Sequence, residues 1–172
     1  IAVQSALTGH LLFSTLHTNR APAAITRLID MGVEKFLISS ALLAVLAQRL
    51  VRRVCDVCTT EYKPDPQELT WISNIARKDM SGATFSHGTG CQTCNNTGYK
   101  GRVGIYELLE MTNENLISAL RNGDTEAFSA AAKALPGYQT LGQAALDYAE
   151  QGVTSIKEVL RISEVVADTA TY

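Results

Sequence analysis

The spacing of apolar positions changes several times along the chain, and each change predicts an element. Residues 1–7 carry apolar side chains at helical spacing, and Gly9 stops that pattern. His10-Leu11-Leu12-Phe13-Ser14-Thr15-Leu16 is a short, mostly apolar run. Its length and flanks predict a buried parallel strand, followed by the polar loop His17-Thr18-Asn19. Pro22 then sits just inside a new helix with Asn19 as its cap. That helix spaces Ala23, Ile25, Leu28, Ile29 and Met31 for burial and ends at Gly32. A second helix begins near Glu34 and carries Phe36, Leu37, Ile38 and Leu42. The second half of residues 43–51 predicts a strand leading to Cys55.

Beyond Cys55 the pattern is broken by Pro64, Pro66 and the charged stretch Arg77-Lys78-Asp79, with a short helix expected over 68–76 around Trp71. Gly88, Gly90, Gly98 and Gly101 mark tight turns. Residues 103–109 return to strand. Helices are predicted over 114–122, 126–135, 141–150 and 156–163, punctuated by Gly123, Pro136-Gly137 and Gly152-Val153-Thr154.

With 172 residues, 46% of them hydrophobic, the chain can bury a core. A net charge of −2 argues against a nucleic-acid surface as its main business. No apolar run approaches the roughly 18 residues of a membrane span. The longest, residues 41–47, reads as buried core, and no direct membrane insertion is expected. The start lacks a basic segment and a cleavage site and opens inside a helix, so the chain is expected to be part of a longer protein.

All four cysteines fall in two C-x-x-C pairs, Cys55/Cys58 and Cys91/Cys94. Two residues between thiolates let both sulfurs reach one ion, and two such pairs complete a tetrahedral shell. The expectation is one structural zinc, with disulfides or a redox dithiol as alternatives. His87, four positions before Cys91, could compete as a nitrogen ligand. The 32 residues between the pairs exceed the roughly 15–20 of compact ribbons, so that segment must form structure of its own.

His10 and His17 stand at the two ends of the expected strand. Polar residues just past the carboxyl end of a strand in an open α/β sheet face the ligand crevice. Thr15, Thr18 and Asn19 share that place with His17. A neutral imidazole there can hydrogen-bond a phosphate or a reacting water; the plainer alternative is a surface histidine. Arg49, Arg52 and Arg53 form a basic cluster suited to phosphate, to a neighbouring subunit's carboxylates, or simply to solvent. No G-x-x-x-x-G-K-[ST] phosphate loop, nucleophile elbow, H-E-x-x-H or dinucleotide fingerprint occurs.

Taken together, four stretches resemble one family. Residues 7–19 look like the "His box" of the ATPases that power type II secretion and type IV pilus assembly. Residues 47–52 followed by C-x-x-C look like that family's next motif. The second cysteine pair with residues 96–108 resembles its tetracysteine metal domain, and residues 152–161 resemble its closing helix. The resemblance implies an α/β fold: the end of a RecA-like ATPase core (1–54), a zinc insert held by Cys55, Cys58, Cys91 and Cys94 (55–102), then a return strand and helical subdomain (103–172). It implies ATP and Mg²⁺ as cofactors of the intact enzyme, with the phosphate loop upstream of Ile1 and His17 and His10 near the phosphates. It assigns Arg49 no role, so that residue stays a candidate on charge alone. A homo-hexamer is implied, cytoplasmic and peripheral to the bacterial inner membrane, acting on an inner-membrane platform protein. The alternatives from other classes are a stand-alone zinc-ribbon interaction module and a dithiol oxidoreductase.

Overall fold

The computed structural model describes residues 2–167 and shows a mixed α/β chain. Ile1, part of the first expected helix, lies outside the described residues. Two compact units form. The first runs to Ala47 and resumes over Glu107–Gln139; the second comprises Gln48–Tyr106 and the chain from Thr140 onward.

In the first unit, helix α1 spans Ala2–Leu7, α2 spans Ala21–Asp30 and α3 spans Lys35–Ala41. Pro22 lies in the first turn of α2, where its missing N–H costs nothing. The cap expected at Asn19 falls instead at Arg20, which offers no side-chain bond. Of the positions expected to be buried, Ile25 is, together with Ala21 and Ala24; Ala23, Leu28 and Ile29 are half-buried and Met31 is exposed. Helices α5 (Glu114–Asn122) and α6 (Thr125–Lys133) pack on each other, and α5 also packs on α3. Asn113 caps α5 by accepting the N–H groups of Asn115 and Leu116, and Gly123 ends it at φ 73°. Asp124 caps α6 through the N–H of Ala127 at 2.8 Å.

The expected strand over residues 10–16 does not form. The segment has no regular structure, and Phe13 is 92% exposed. A buried parallel strand needs neighbours at both edges and layers on both faces. Among the described residues, no strand pairs with this run.

Strand β1 (Ala44–Val54) hydrogen-bonds β4 (Tyr99–Glu110). The flanking bonds, Met111 N–H to Leu43 C=O at 2.8 Å and Cys55 N–H to Gly98 C=O at 3.0 Å, set the pair antiparallel. The reading of 41–47 as continuous core fails here. A strand alternates its side chains, so Ala47 is buried while Leu46 is exposed.

Within the second unit, β2 (Thr59–Tyr62) pairs antiparallel with β3 (Phe85–Gly88) around helix α4 (Pro66–Ala76). Asp65 and Glu68 close a capping box at the start of α4. Helices α7 (Leu141–Glu150) and α8 (Ile156–Ala167) pack together, with α4 and β3 against α7. Ile72, Ile105, Leu141, Ile156 and Val159 are fully buried in this unit.

Candidate metal centre and histidine segment

The β2–β3 hairpin explains how cysteines separated by 32 residues meet. Thr59 lies opposite Gly88, so the chain returns beside Cys58, and Thr89 N–H donates to the Cys58 carbonyl at 3.0 Å. Cys55 continues from β1. Cys91 and Cys94 bracket a single 3-10 turn, Gln92–Cys94. Gly88 and Gly98 cross so closely that a Cβ on either would collide with the other's backbone, and Gly98 also holds φ 76°.

The four Sγ atoms lie within 4.8 Å of one another. Three separations are 3.9 Å (Cys55–Cys91), 3.9 Å (Cys58–Cys94) and 3.8 Å (Cys91–Cys94). A tetrahedron with Zn–S bonds of about 2.3 Å has edges of about 3.8 Å. The donor set therefore fits a tetrahedral, thiolate-loving ion. All four cysteines are free, and these separations are far beyond the roughly 2.05 Å of a disulfide. Cys55 and Cys94 are buried, which counts against a dithiol that exchanges with a substrate.

Backbone amides point at the sulfurs. Gly90 N–H donates to Cys58 Sγ at 3.3 Å, Cys91 N–H to Cys94 Sγ at 3.2 Å, and Gly98 N–H to Cys94 Sγ at 3.3 Å. Burial pushes the Cys94 thiol up, but the amides of Cys91 and Gly98, with the neighbouring thiols, bring it down to about 6. The Cys94 amide lowers Cys91 against the opposing effect of burial. At Cys58 burial prevails over the Gly90 amide and the thiol is pushed up to about 11. The cluster thus contains sulfurs prepared to be thiolates and one that needs a cation to become so.

His87 stands opposite Thr60 on the hairpin and does not join the converging sulfurs. Its Nδ1 is buried with no hydrogen-bond partner among the described residues, and its ring meets Tyr62 edge-on at 5.4 Å.

The histidine segment is open. His10, Thr15 and His17 are exposed, while Thr18 and Asn19 are half-buried. His10 Nδ1 lies 3.2 Å from Thr8 Oγ1 and 3.3 Å from the Ser5 carbonyl. No hydrogen bond joins His10 to His17 among the described residues.

The arginine cluster divides. Arg49 is half-buried and donates to the Gln48 carbonyl at 3.1 Å, and Arg53 is exposed. Arg52 is committed within the chain, whereas the sequence left phosphate, a neighbouring subunit and plain solvent open for the cluster. Its Nε and Nη2 bind Glu158 Oε1 at 3.0 and 2.8 Å, its own N–H binds Glu158 Oε2 at 2.9 Å, and its guanidinium lies 4.1 Å from the Tyr99 ring centre. Arg161 grips the same carboxylate through Nε and Nη2 at 3.1 and 3.0 Å. The pairing of Glu158 with Arg161, one turn apart, was visible as a spacing; the approach of Arg52 was not. Glu107, buried on β4, also escaped sequence reasoning.

Comparison with known proteins shows the family of the chain. A family model described as "Type II/IV secretion system protein" matches residues 1–161. The chain is 47% identical, over 93% of its length, to the type IV pilus assembly ATPase PilB of Thermus thermophilus. It is 41% identical over 95% to the type II secretion system ATPase E of Vibrio cholerae, and 43% identical over 94% to the type IV pilus assembly ATPase TfpB of Acinetobacter baylyi. It spans 18%, 32% and 27% of those relatives' lengths.

Proposed function

We propose, since this chain belongs to the type II/IV secretion system protein family, that it is the C-terminal part of an ATPase driving type II secretion or type IV pilus assembly. The observation that carries this is the 47% identity to a pilus assembly ATPase across 93% of the chain. In this reading residues 1–54 close a RecA-like core, 55–102 form the metal insert, and 103–172 supply the return strand and helical subdomain. The exposure of Leu11, Leu12 and Phe13 supports it. An apolar run left open beside a polar loop is what a sheet completed by another part of a longer protein leaves behind.

The metal is zinc and its role is structural. Four thiolates fill the shell and leave no position for a substrate. ATP and Mg²⁺ are cofactors of the whole enzyme, a hexamer at the cytoplasmic side of the inner membrane that acts on a platform protein there.

His17 acts at the γ-phosphate end. Its exposed imidazole is free to donate a hydrogen bond to a phosphate oxygen or to orient the attacking water. Thr15, Thr18 and Asn19 offer neutral polar groups beside it, His10 supports the other end of the segment, and Arg49 adds a cation. None of these replaces a phosphate loop, which neutralises the phosphates with backbone amides, a lysine and Mg²⁺. The test is steady-state ATPase kinetics of the full-length protein. His17→Ala is expected to lower kcat by roughly 100-fold while nucleotide affinity holds, as for a group acting mainly in the transition state. An unchanged kcat would return His17 to an ordinary surface residue.

A further inference from the structure

Glu107 is 2% exposed in the first unit. A carboxylate that deep persists only where donors satisfy it. One oxygen accepts the backbone N–H of Ala21 at 3.2 Å and the phenolic O–H of Tyr138 at 2.6 Å. Ala21 opens α2, whose N-cap Arg20 supplies no side-chain bond of its own. The carboxylate takes over that task from 86 residues away, and its charge meets the positive end of the helix. Burial first, then the bond to Glu107 and its charge, push the Tyr138 hydroxyl up, so it remains a donor at every working pH.

The position of this anchor matters because of what precedes it. Only Thr18, Asn19 and Arg20 separate His17 from Ala21. Four residue steps span at most about 14 Å, so the start of α2 fixes one end of the histidine loop. A first turn that frays releases that loop; a first turn held by a buried carboxylate does not. We infer that Glu107 is a positioning residue for the loop: by holding the first N–H of α2, it sets where the His17 imidazole meets the nucleotide phosphates. This rests on the reading of His17 given above.

The experiment is a double-mutant cycle in the full-length enzyme, measuring kcat and nucleotide Kd for Glu107→Gln, His17→Ala and the pair. Glutamine keeps an acceptor for Ala21 but sheds the charge that strengthens both bonds. Glu107→Gln is expected to lower kcat roughly tenfold, the scale of a small misplacement, with Kd unmoved. Added to His17→Ala it should lower kcat no further, because its effect passes through the imidazole. Tyr138→Phe retains the packing and gives a second route should Glu107→Gln fail to assemble. Its smaller loss should also vanish in the His17→Ala background. Losses that multiply independently would make Glu107 an ordinary structural residue and overturn the inference, as would an unchanged kcat in Glu107→Gln. If His17→Ala alone leaves kcat unchanged, the reading of His17 fails first and the inference falls with it. If His17→Ala lowers kcat and Glu107→Gln does not, only the inference falls.

Discussion

Replacing Glu158 by alanine should be among the most damaging single changes to the second unit. The side chain is fully buried and accepts five hydrogen bonds, three from Arg52 and two from Arg161. Hydrogen bonds to charged groups contribute about 1.5–3 kcal/mol each, but bonds sharing one acceptor group do not add. The arginines are also 44% and 48% exposed, so their heads regain water when the carboxylate goes. That places the loss at about 2–4 kcal/mol, below the worst cases of a broken buried pair. For a domain of this size each kcal/mol moves Tm by roughly 2–4 °C, so circular dichroism should show a fall of about 5–15 °C. Glu158→Gln keeps the shape and one acceptor and should lose less. The pH dependence supplies a second check. Burial raises the Glu158 carboxyl, but Arg161 and Arg52 together hold it below the usual carboxylate range. Its stabilisation is therefore fully present above the unfolded value near 4.5 and is lost as pH falls through the lower folded value. The gap between wild type and Glu158→Gln should be constant near neutrality and close in acid. A variant that melts within a degree of wild type, or a gap that persists unchanged in strong acid, refutes this account of the clamp.

Elemental analysis should give one zinc per chain, and Cys58→Ser should abolish tight binding; a metal-free folded chain with two disulfides would refute the site. Metal affinity should fall as pH is lowered, since protons compete for the same sulfurs, and a chelator should unfold the region around the knuckles. Gly98→Ala should weaken metal retention in a competition assay by at least about tenfold, the outer-shell scale, because its methyl meets the Gly88 backbone and its amide serves Cys94; unaltered retention would show that the crossing can open freely. The 172-residue chain alone should bind MgATP no better than about millimolar by calorimetry, for want of a phosphate loop; micromolar binding would reveal a phosphate site that the sequence does not announce.

Signals carried by neighbours in sequence were legible. Asn113 before Glu114 and Thr140 before Leu141 mark helix starts chemically, and both helices form over the residues expected. The helix expected over 68–76 starts instead at Pro66, where Asp65 and Glu68 close a capping box that escaped sequence reasoning. The cysteine pairs belong with the legible signals, because each knuckle is a local object. What spacing alone left unexplained was the long gap between them, and the answer is a hairpin: Tyr62 opposite Phe85 brings the ends of the insert back together.

Choices of distant partner were not legible. Arg49, Arg52 and Arg53 look alike in sequence, and nothing local marks Arg52 as the one that grips the buried Glu158 carboxylate on α8 and lies against the Tyr99 ring on β4. Asn19 is a better capping residue than Arg20 by any local measure, yet α2 begins one residue later because Glu107 holds the Ala21 N–H from another element. The histidine segment marks the same boundary from the other side. Its apolar run is written for burial, but burial of a parallel strand is a property of the strands beside it. A segment whose pattern and environment disagree in this way marks where partners supplied by the rest of a longer protein are needed. In the function proposed above, the polar residues at its end belong to a nucleotide site completed by the rest of the enzyme.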